Sequence, residues 1–201
     1  MLPATIYLGI GVFILGLMFG LIDTFLPIFT IQELGWTNTS YSEVFSVTTL
    51  VGGFFGMFAG GALVDFFGIK RMMFIYLISI ILLFVGIVLI QSFWSNDNII
   101  FSFILLYSLL YTFLTIAIFA AAMRLCWSIV AATQFTLFMA LTNMGRAAGS
   151  SLLGTLKSHM TWDYVLLITA LSPLFAIIFI KLINFLKHEK SIENFKIKTI
   201  I

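Results

Sequence analysis

Arg146 is a charged residue in the middle of a long apolar stretch. It is the one charged side chain between Arg124 and Lys157, and that stretch is long enough to cross a bilayer as a helix. An arginine at the midplane costs roughly 3 kcal/mol on insertion scales, so such residues usually face a polar cavity and mark a solute path. Its planar guanidinium suits a carboxylate or a phosphate. The sequence therefore predicts that Arg146 binds solute; the alternative is a structural arginine paired with backbone carbonyls or with an acid elsewhere.

The residues around Arg146 divide its helix into a polar face and a small face. The polar face comprises Thr136, Met139, Asn143, Arg146 and Ser150, spaced by three or four residues. The roughly opposite face comprises Gly145, Ala148, Gly149 and Leu152. Small residues let two helices approach closely. Because the small face packs on another helix, the opposite polar face is expected to line a cavity. We therefore predict that Asn143 and Ser150 contact solute together with Arg146.

A second row of hydroxyls lies on an earlier apolar segment. It comprises Ser108, Tyr111, Thr112 and Thr115 on one helix face, with Tyr107 adjacent. Such groups can bind a polar solute, although they also bond to carbonyls of their own helix. Tyr111 and Thr115 are the predicted solute contacts of this second wall.

Asp23 is an acid inside the first apolar segment, toward its outer end. A carboxylate is costly to ionise in that setting unless a cation is near, which suits a proton-binding site. Asp23 is therefore the candidate for proton coupling. An equally supported alternative is that it anchors the helix end at the membrane interface.

The amino-acid composition indicates that these residues belong to a membrane protein. Hydrophobic residues make up 62% of the 201-residue chain and charged residues 9%, whereas about a quarter of the residues of a soluble domain are charged. We predict an all-α membrane protein with six transmembrane helices, each reaching the roughly 20 residues that a span needs. The predicted spans are 4–22 extending to about 29, 44–64, 72–92, 99–123, 131–156, and 164–180 extending to about 186.

The positions of lysine and arginine predict the orientation, since cytoplasmic loops are enriched in both. The bases Lys70, Arg71, Arg124, Lys181, Lys187, Lys190, Lys196 and Lys198 follow the second, fourth and sixth spans. The other loops carry Glu33, Asp97 and Asp163 with Lys157. We therefore expect both termini in the cytoplasm, after a transmembrane domain at 1–187. The basic tail 188–201 is expected to be solvated, or alternatively to lie on anionic lipid.

Polarity and glycine spacing indicate how the spans are arranged. The third and sixth spans carry almost nothing polar, whereas the other four carry the groups described above. This period of three helices is expected of two inverted triplets, approximately 1–92 and 98–187. Gly52, Gly56 and Gly60 recur every four residues, with Gly53 and Gly61 alongside, which favours a tight helix crossing.

Enzyme motifs are absent from the sequence. It contains no GxSxG, P-loop or HExxH pattern, and His159 and His188 have no cluster of partners nearby. The one cysteine, Cys126, excludes an intramolecular disulfide. We therefore predict no enzyme activity, no metal or other cofactor, and no nucleic-acid partner; the expected partners are membrane lipids and a solute.

The segment 60–71, GGALVDFFGIKR, carries the chemistry of a short cytoplasmic turn. Gly61 is expected to let helices approach, Asp65 to cap the third helix, Gly68 to form the turn, and Lys70 and Arg71 to hold it in the cytoplasm. These five positions resemble the signature turn of major facilitator superfamily transporters. The segment differs at Phe66, where that family often has arginine.

A second resemblance falls on the fifth span. Ala132, Thr133, Gln134 and Phe135, followed by the Gly145-Arg146 pair, resemble the peptide, acetyl-coenzyme A and drug transporter branch, which includes AmpG-type muropeptide permeases. Asp23 also resembles an acid near the first helix of that branch's second half. The resemblance implies the C-terminal six-helix half of a twelve-helix permease of the bacterial inner membrane. It further implies proton-coupled transport of an anionic sugar-peptide.

A six-helix half supplies only one wall of a facilitator-type passage. Three possibilities therefore remain for this chain. The chain is the product of a split or truncated gene, pairs with a separate N-terminal half, or forms a homodimer. The alternative of another class is a non-transporting membrane interaction protein or a remnant of a transporter gene.

Overall fold

The computed structural model describes the backbone of residues 2–200 and the side chains of residues 2–194, and regular structure within that part is helical. Its α-helices are α1 (Pro3–Ile28), α2 (Asn38–Phe55), α3 (Gly61–Phe67), α4 (Ile69–Leu89), α5 (Asp97–Leu125), α6 (Ala131–His159), α7 (Trp162–Leu182) and α8 (Phe185–Ile200). A π-helical turn at Phe29–Glu33 continues α1, and another at Gly56–Gly60 joins α2 to α3.

Five of these segments in the described chain are long and apolar enough to cross a bilayer. They are Pro3–Glu33, Asn38–Phe67, Ile69–Leu89, Asp97–Leu125 and Trp162–Leu182. The multi-pass all-helical architecture is therefore confirmed, but the count of six spans is not, because α6 falls outside this set. It forms a 29-residue helix as predicted, yet polar residues such as Gln134, Asn143 and Arg146 lower its hydropathy.

Helix α1 lies at the centre of the bundle, between α6 and α7. A Cβ atom added to Gly145 or Gly149 would collide with the carbonyl oxygens of Phe13 and Leu17 of α1. The small face of α6 therefore makes the predicted close contact, except at Leu152, whose exposed fraction is 46%.

The tight crossing predicted for the second span is also confirmed, since α2 and its π-helical turn pack on α5. A Cβ at Gly52 would lie 2.9 Å from the Ser108 Oγ, and a Cβ at Gly60 would collide with Ile116. Gly53 and Gly61 instead face open space in the described chain, so the approach expected at Gly61 is not seen there.

The helix pairs form a regular pattern: α1 packs on α6 and α7, α5 packs on α2 and α4, and α4 packs on α7. Exchanging the triplet α1, α2–α3, α4 with the triplet α5, α6, α7 maps this set of contacts onto itself. The two triplets therefore have matching sets of main helix contacts.

Helix α8 docks on the end of the bundle that also holds the Gly68 turn, which we call the basic face after its lysines and arginines. Arg124 Nε lies 2.8 Å from Glu189 Oε1, and His188 is buried with 4% of its surface exposed. The expectation of a plain solvated tail is therefore wrong at His188, whereas Lys190, Glu193 and Asn194 are exposed. The side chains of Lys196 and Lys198 lie outside the described residues.

The turn before α4 is made by Gly68, whose φ of +86° favours glycine. The predicted cap by Asp65 is wrong: Asp65 is exposed within α3, which runs on to Phe67, and the described start of α4 has no side-chain cap. Lys70 Nζ instead donates to the carbonyls of Lys181 and Ile183, each at 2.8 Å, and so caps the end of α7.

Candidate solute cavity

A cavity of about 420 Å³ opens between four helices, in the half of the bundle away from the basic face. It is lined by Asp23, Leu26 and Pro27 of α1, Tyr41, Phe45, Thr48 and Thr49 of α2, Ile104, Tyr107, Ser108, Tyr111 and Thr112 of α5, and Arg146 of α6. These are the four segments in which the sequence concentrates polar groups. Helices α4 and α7 contribute none of these lining residues.

Arg146 meets an acid and a phenol at this cavity. Its Nη2 donates to the Tyr111 hydroxyl at 2.7 Å, and its Nε lies 3.4 Å from Asp23 Oδ2. The ring of Phe19 lies 5.7 Å from the guanidinium carbon, within reach of a cation–π contact. About two fifths of each side chain in the charged pair is exposed (36% for Arg146, 41% for Asp23). Both side chains are therefore partly open to the cavity, although the Arg146 Nε that faces Asp23 is itself buried and makes no hydrogen bond among the described residues.

The close contact of α1 with α6 places this pair. The backbone of Arg146 lies directly against Gly20, where a Cβ would collide with the Arg146 carbonyl. Ser150 Oγ also donates to the Gly20 carbonyl at 3.0 Å. Asp23 follows Gly20 by one helical turn, and neighbours at that spacing share a face. Asp23 therefore comes within reach of Arg146.

The helix carrying Asp23 is irregular just beyond it. Pro27 lacks the N–H that would bond the Asp23 carbonyl in a regular helix. The Thr30 hydroxyl donates to Leu26 O at 2.8 Å, and the backbone continues as the π-helical turn Phe29–Glu33. The Asp23 carbonyl therefore lacks its regular helix donor, while the π-helical turn lies beyond the residues that line the cavity.

Aromatic rings form the wall beside the charged pair. The Tyr111 ring packs edge-on against Phe19 at 4.9 Å and lies 6.1 Å from the Tyr107 ring. Tyr107 is 5% exposed, and its hydroxyl has no hydrogen-bond partner among the described residues. Buried hydroxyls are nearly always bonded, and this one has no surface open to the cavity in the structure.

The structure brings together Asp23, Tyr111 and Arg146 of the predicted site residues and leaves three others apart. Asn143 is exposed on α6 and is not part of the cavity lining. The Thr115 hydroxyl donates to its own helix at Tyr111 O, 2.8 Å away, and Ser150 bonds α1 as described.

The individual residues of α2 that line the cavity were not predicted. Tyr41, Phe45, Thr48 and Thr49 line the cavity, and their spacing of four, three and one residues is that of one helix face. This spacing is visible in the sequence. However, the predicted span begins at residue 44, after Tyr41, and the glycines of this span indicate helix packing and not solute binding. Ser108, predicted as a possible solute contact, instead donates to Thr48 O at 3.0 Å and joins the two walls.

A helical membrane bundle with a charged pair opening into a cavity between its spans is the arrangement expected of a solute transporter. The chain belongs to the Major Facilitator Superfamily, whose sequence model matches residues 8–198. Members of this family are transporters and not enzymes, in agreement with the predicted lack of enzyme activity. No curated protein and no solved structure matches the chain.

Proposed function

We propose that the chain is a six-helix unit of a proton-coupled permease that carries an anionic sugar-peptide, of the muropeptide kind, across the bacterial inner membrane. The observation that carries the proposal is the Asp23–Arg146 pair, open to a cavity of solute-binding size. The resemblance of residues 132–135 and 145–146 to AmpG-type permeases supports the solute class.

The pair suggests how proton and solute are coupled. With Asp23 ionised, its carboxylate neutralises Arg146 and the cavity carries no net charge from the pair. Protonation of Asp23 removes that partner and leaves a guanidinium free for the anionic group of the solute. Proton and anion then favour each other's binding, because coupling between two ligands is reciprocal.

The remaining lining supplies groups for the neutral parts of a sugar-peptide. The rings of Tyr41, Tyr107 and Tyr111 offer aromatic surface to the solute. Thr115 and Ser150, whose hydroxyls are bonded to helix carbonyls in this structure, are proposed as path residues of another state of the transport cycle.

A second six-helix unit is proposed to cover the open side of α6. Thr136, Ala140, Asn143, Ala147 and Ser151 are exposed at helical spacing on that side. An exposed asparagine in mid-membrane is costly against lipid, and small residues favour helix contact. The covering unit is a separate N-terminal half or a second copy of this chain. With either partner, the basic face lies in the cytoplasm.

Solute uptake into proteoliposomes tests the proposal. Muropeptide uptake is expected to follow an inward proton gradient. Arg146→Lys and Arg146→Ala are expected to lower it tenfold or more, since hydrogen bonds to charged groups contribute about 1.5–3 kcal/mol. Arg124→Lys, altered at the basic face, is the matched control. Wild-type uptake that both Arg146 variants retain would exclude the role of Arg146.

Absence of uptake by every assembly, alone or with a six-helix partner, would favour the alternative of a non-transporting membrane interaction protein or a gene remnant. Cross-linking of the Asn143→Cys variant distinguishes the two assemblies. A homodimer gives a cross-link between two copies of this chain, whereas a separate half gives a cross-link to a different chain.

A further inference from the structure

Phe19 of α1 packs against the guanidinium of Arg146. The centre of its ring lies 5.7 Å from the guanidinium carbon, and the residue is 2% exposed. Asp23 follows Phe19 by four residues, a spacing that places both side chains on one face of the helix. Arg146 therefore contacts two groups of α1: a carboxylate, whose charge depends on a proton, and a ring face, whose charge distribution does not.

The ring of Tyr111 adds a second aromatic surface. Its centre lies 5.9 Å from the guanidinium carbon, and it packs against Phe19 at an interplanar angle of 83°. The face of an aromatic ring is partly negative and attracts a cation, most strongly where water is excluded. The Nε of Arg146 is buried. That edge of the guanidinium is therefore shielded from water, which strengthens its attraction to the rings.

Asp23 is the one acid, and Arg146 the one base, among the described residues that line the solute cavity. When Asp23 takes up a proton, no other carboxylate of the lining replaces it beside Arg146. A partly buried charge that loses its partner is destabilised. The attraction of the rings remains, because it requires neither a proton nor a counter-charge. It therefore offsets part of the loss while Arg146 has no anionic partner.

We propose that Phe19 is a positioning residue for solute binding. Its ring face holds the guanidinium of Arg146 at the cavity after Asp23 is protonated, and thereby sets the affinity for the anionic group of the solute. This inference rests on the proposed function, because it concerns the state in which Arg146 awaits that group. A side chain of the same volume without a ring face would fill the space but would not hold the cation.

Ring fluorination tests the contact without transport. A phenylalanine with three ring fluorines, introduced at position 19 by amber suppression, keeps nearly the same shape but loses the negative charge of the ring face. Thermal unfolding of the purified chain in detergent is compared with Arg146 present and with Arg146→Met. We expect fluorination to lower the Tm by about 2–4 °C with Arg146 present, the shift that a loss of about 1 kcal/mol produces. With Arg146→Met, little change is expected, since such a cycle isolates the pair.

Phe138 of α6 is the matched control for fluorination. It is 1% exposed, and no lysine or arginine of the described chain lies over its ring. Fluorination at Phe138 is expected to change the Tm equally with Arg146 and with Arg146→Met.

Muropeptide uptake into proteoliposomes measures the consequence for solute binding. One, two and three ring fluorines at position 19 are expected to raise the concentration for half-maximal uptake stepwise, to about fivefold, which corresponds to about 1 kcal/mol. The maximal rate is expected to change less. A role in packing alone would not make the half-saturation concentration follow the number of fluorines.

Two results would overturn the role of Phe19 and leave the proposed function intact in a chain that transports. One is a Tm loss on fluorination that is equal with Arg146 and with Arg146→Met. The other is a half-saturation concentration that does not change with fluorination. A coupled Tm loss in a chain that takes up no solute in any assembly would instead reject the proposed function, and with it the solute role of Phe19, while the contact with Arg146 stands.

Discussion

Arg146 donates a hydrogen bond of 2.7 Å from Nη2 to the hydroxyl of Tyr111, which joins α6 to α5 across the wall of the solute cavity. The bond fixes one edge of the guanidinium while Asp23 approaches another edge at 3.4 Å. Tyr111 thereby holds Arg146 through a contact that does not involve the Asp23 carboxylate.

Tyr111→Phe is expected to raise the solute concentration for half-maximal uptake about tenfold, because a hydrogen bond to a charged group contributes about 1.5–3 kcal/mol. The ring and its contact with Phe19 are retained, so the variant removes the hydroxyl alone. Tyr76→Phe is the control, since Tyr76 is also a buried tyrosine but lies on α4, outside the cavity lining. Equal uptake curves for the two variants would contradict the positioning role of Tyr111.

Gly149→Ala is expected to lower the stability of the folded chain by about 1–3 kcal/mol, the usual cost of overpacking. The added methyl would collide with the carbonyl of Leu17 in α1, and backbone cannot move aside as a flexible side chain can. Thermal unfolding in detergent measures the effect.

Gly86→Ala provides the comparison for Gly149→Ala. Gly86 lies within α4, and a Cβ there meets no atom of the described chain within 4 Å. Because alanine is the better helix former by up to about 1 kcal/mol, this variant is expected to unfold at the wild-type temperature or slightly above it. A Gly149→Ala protein as stable as Gly86→Ala would show that the α1–α6 contact is looser than the structure has it.

Much of the bundle could be predicted from the sequence because its signals are local. The apolar segments, the four-residue glycine spacing on α2 and the small face of α6 are set by near neighbours along the chain, and each appears in the fold. The count of six apolar spans is not confirmed, because polar residues such as Asn143 and Arg146 lower the hydropathy of α6.

The candidate site could be predicted only in part because its geometry depends on long-range contacts. Arg146 and Asp23 stand out as charges in apolar segments, but their pairing follows from the contact of Gly20 in α1 with α6, which is distant along the chain. Ser150 shares a face with Arg146 in the sequence pattern, yet the same contact turns its hydroxyl to the Gly20 carbonyl. The docking of His188 on Leu125 has no local signal either.

Cys126 provides a test of orientation, because it is the one cysteine of the chain and lies at the basic face. A membrane-impermeant maleimide is expected to label it in inside-out vesicles and not in right-side-out vesicles. Burial raises the pKa of the Cys126 thiol, and the thiolate is the reactive form. Labelling is therefore expected to be slower than that of an exposed cysteine at neutral pH and to accelerate as the pH rises. Labelling in right-side-out vesicles alone would reverse the proposed orientation.

Asp23→Asn separates solute binding from proton coupling. The amide keeps the size of the carboxylate but carries no charge, so Arg146 is left permanently without its acidic partner and the substituted side chain cannot exchange a proton. Solute exchange between equal internal and external pools is expected to continue, because it requires binding but no net proton movement. Uptake driven by a proton gradient is expected to fall to the rate without a gradient. Measurement of both rates in the same proteoliposomes decides the point: a variant that still concentrates solute when a gradient is imposed places the coupling proton on a group other than Asp23.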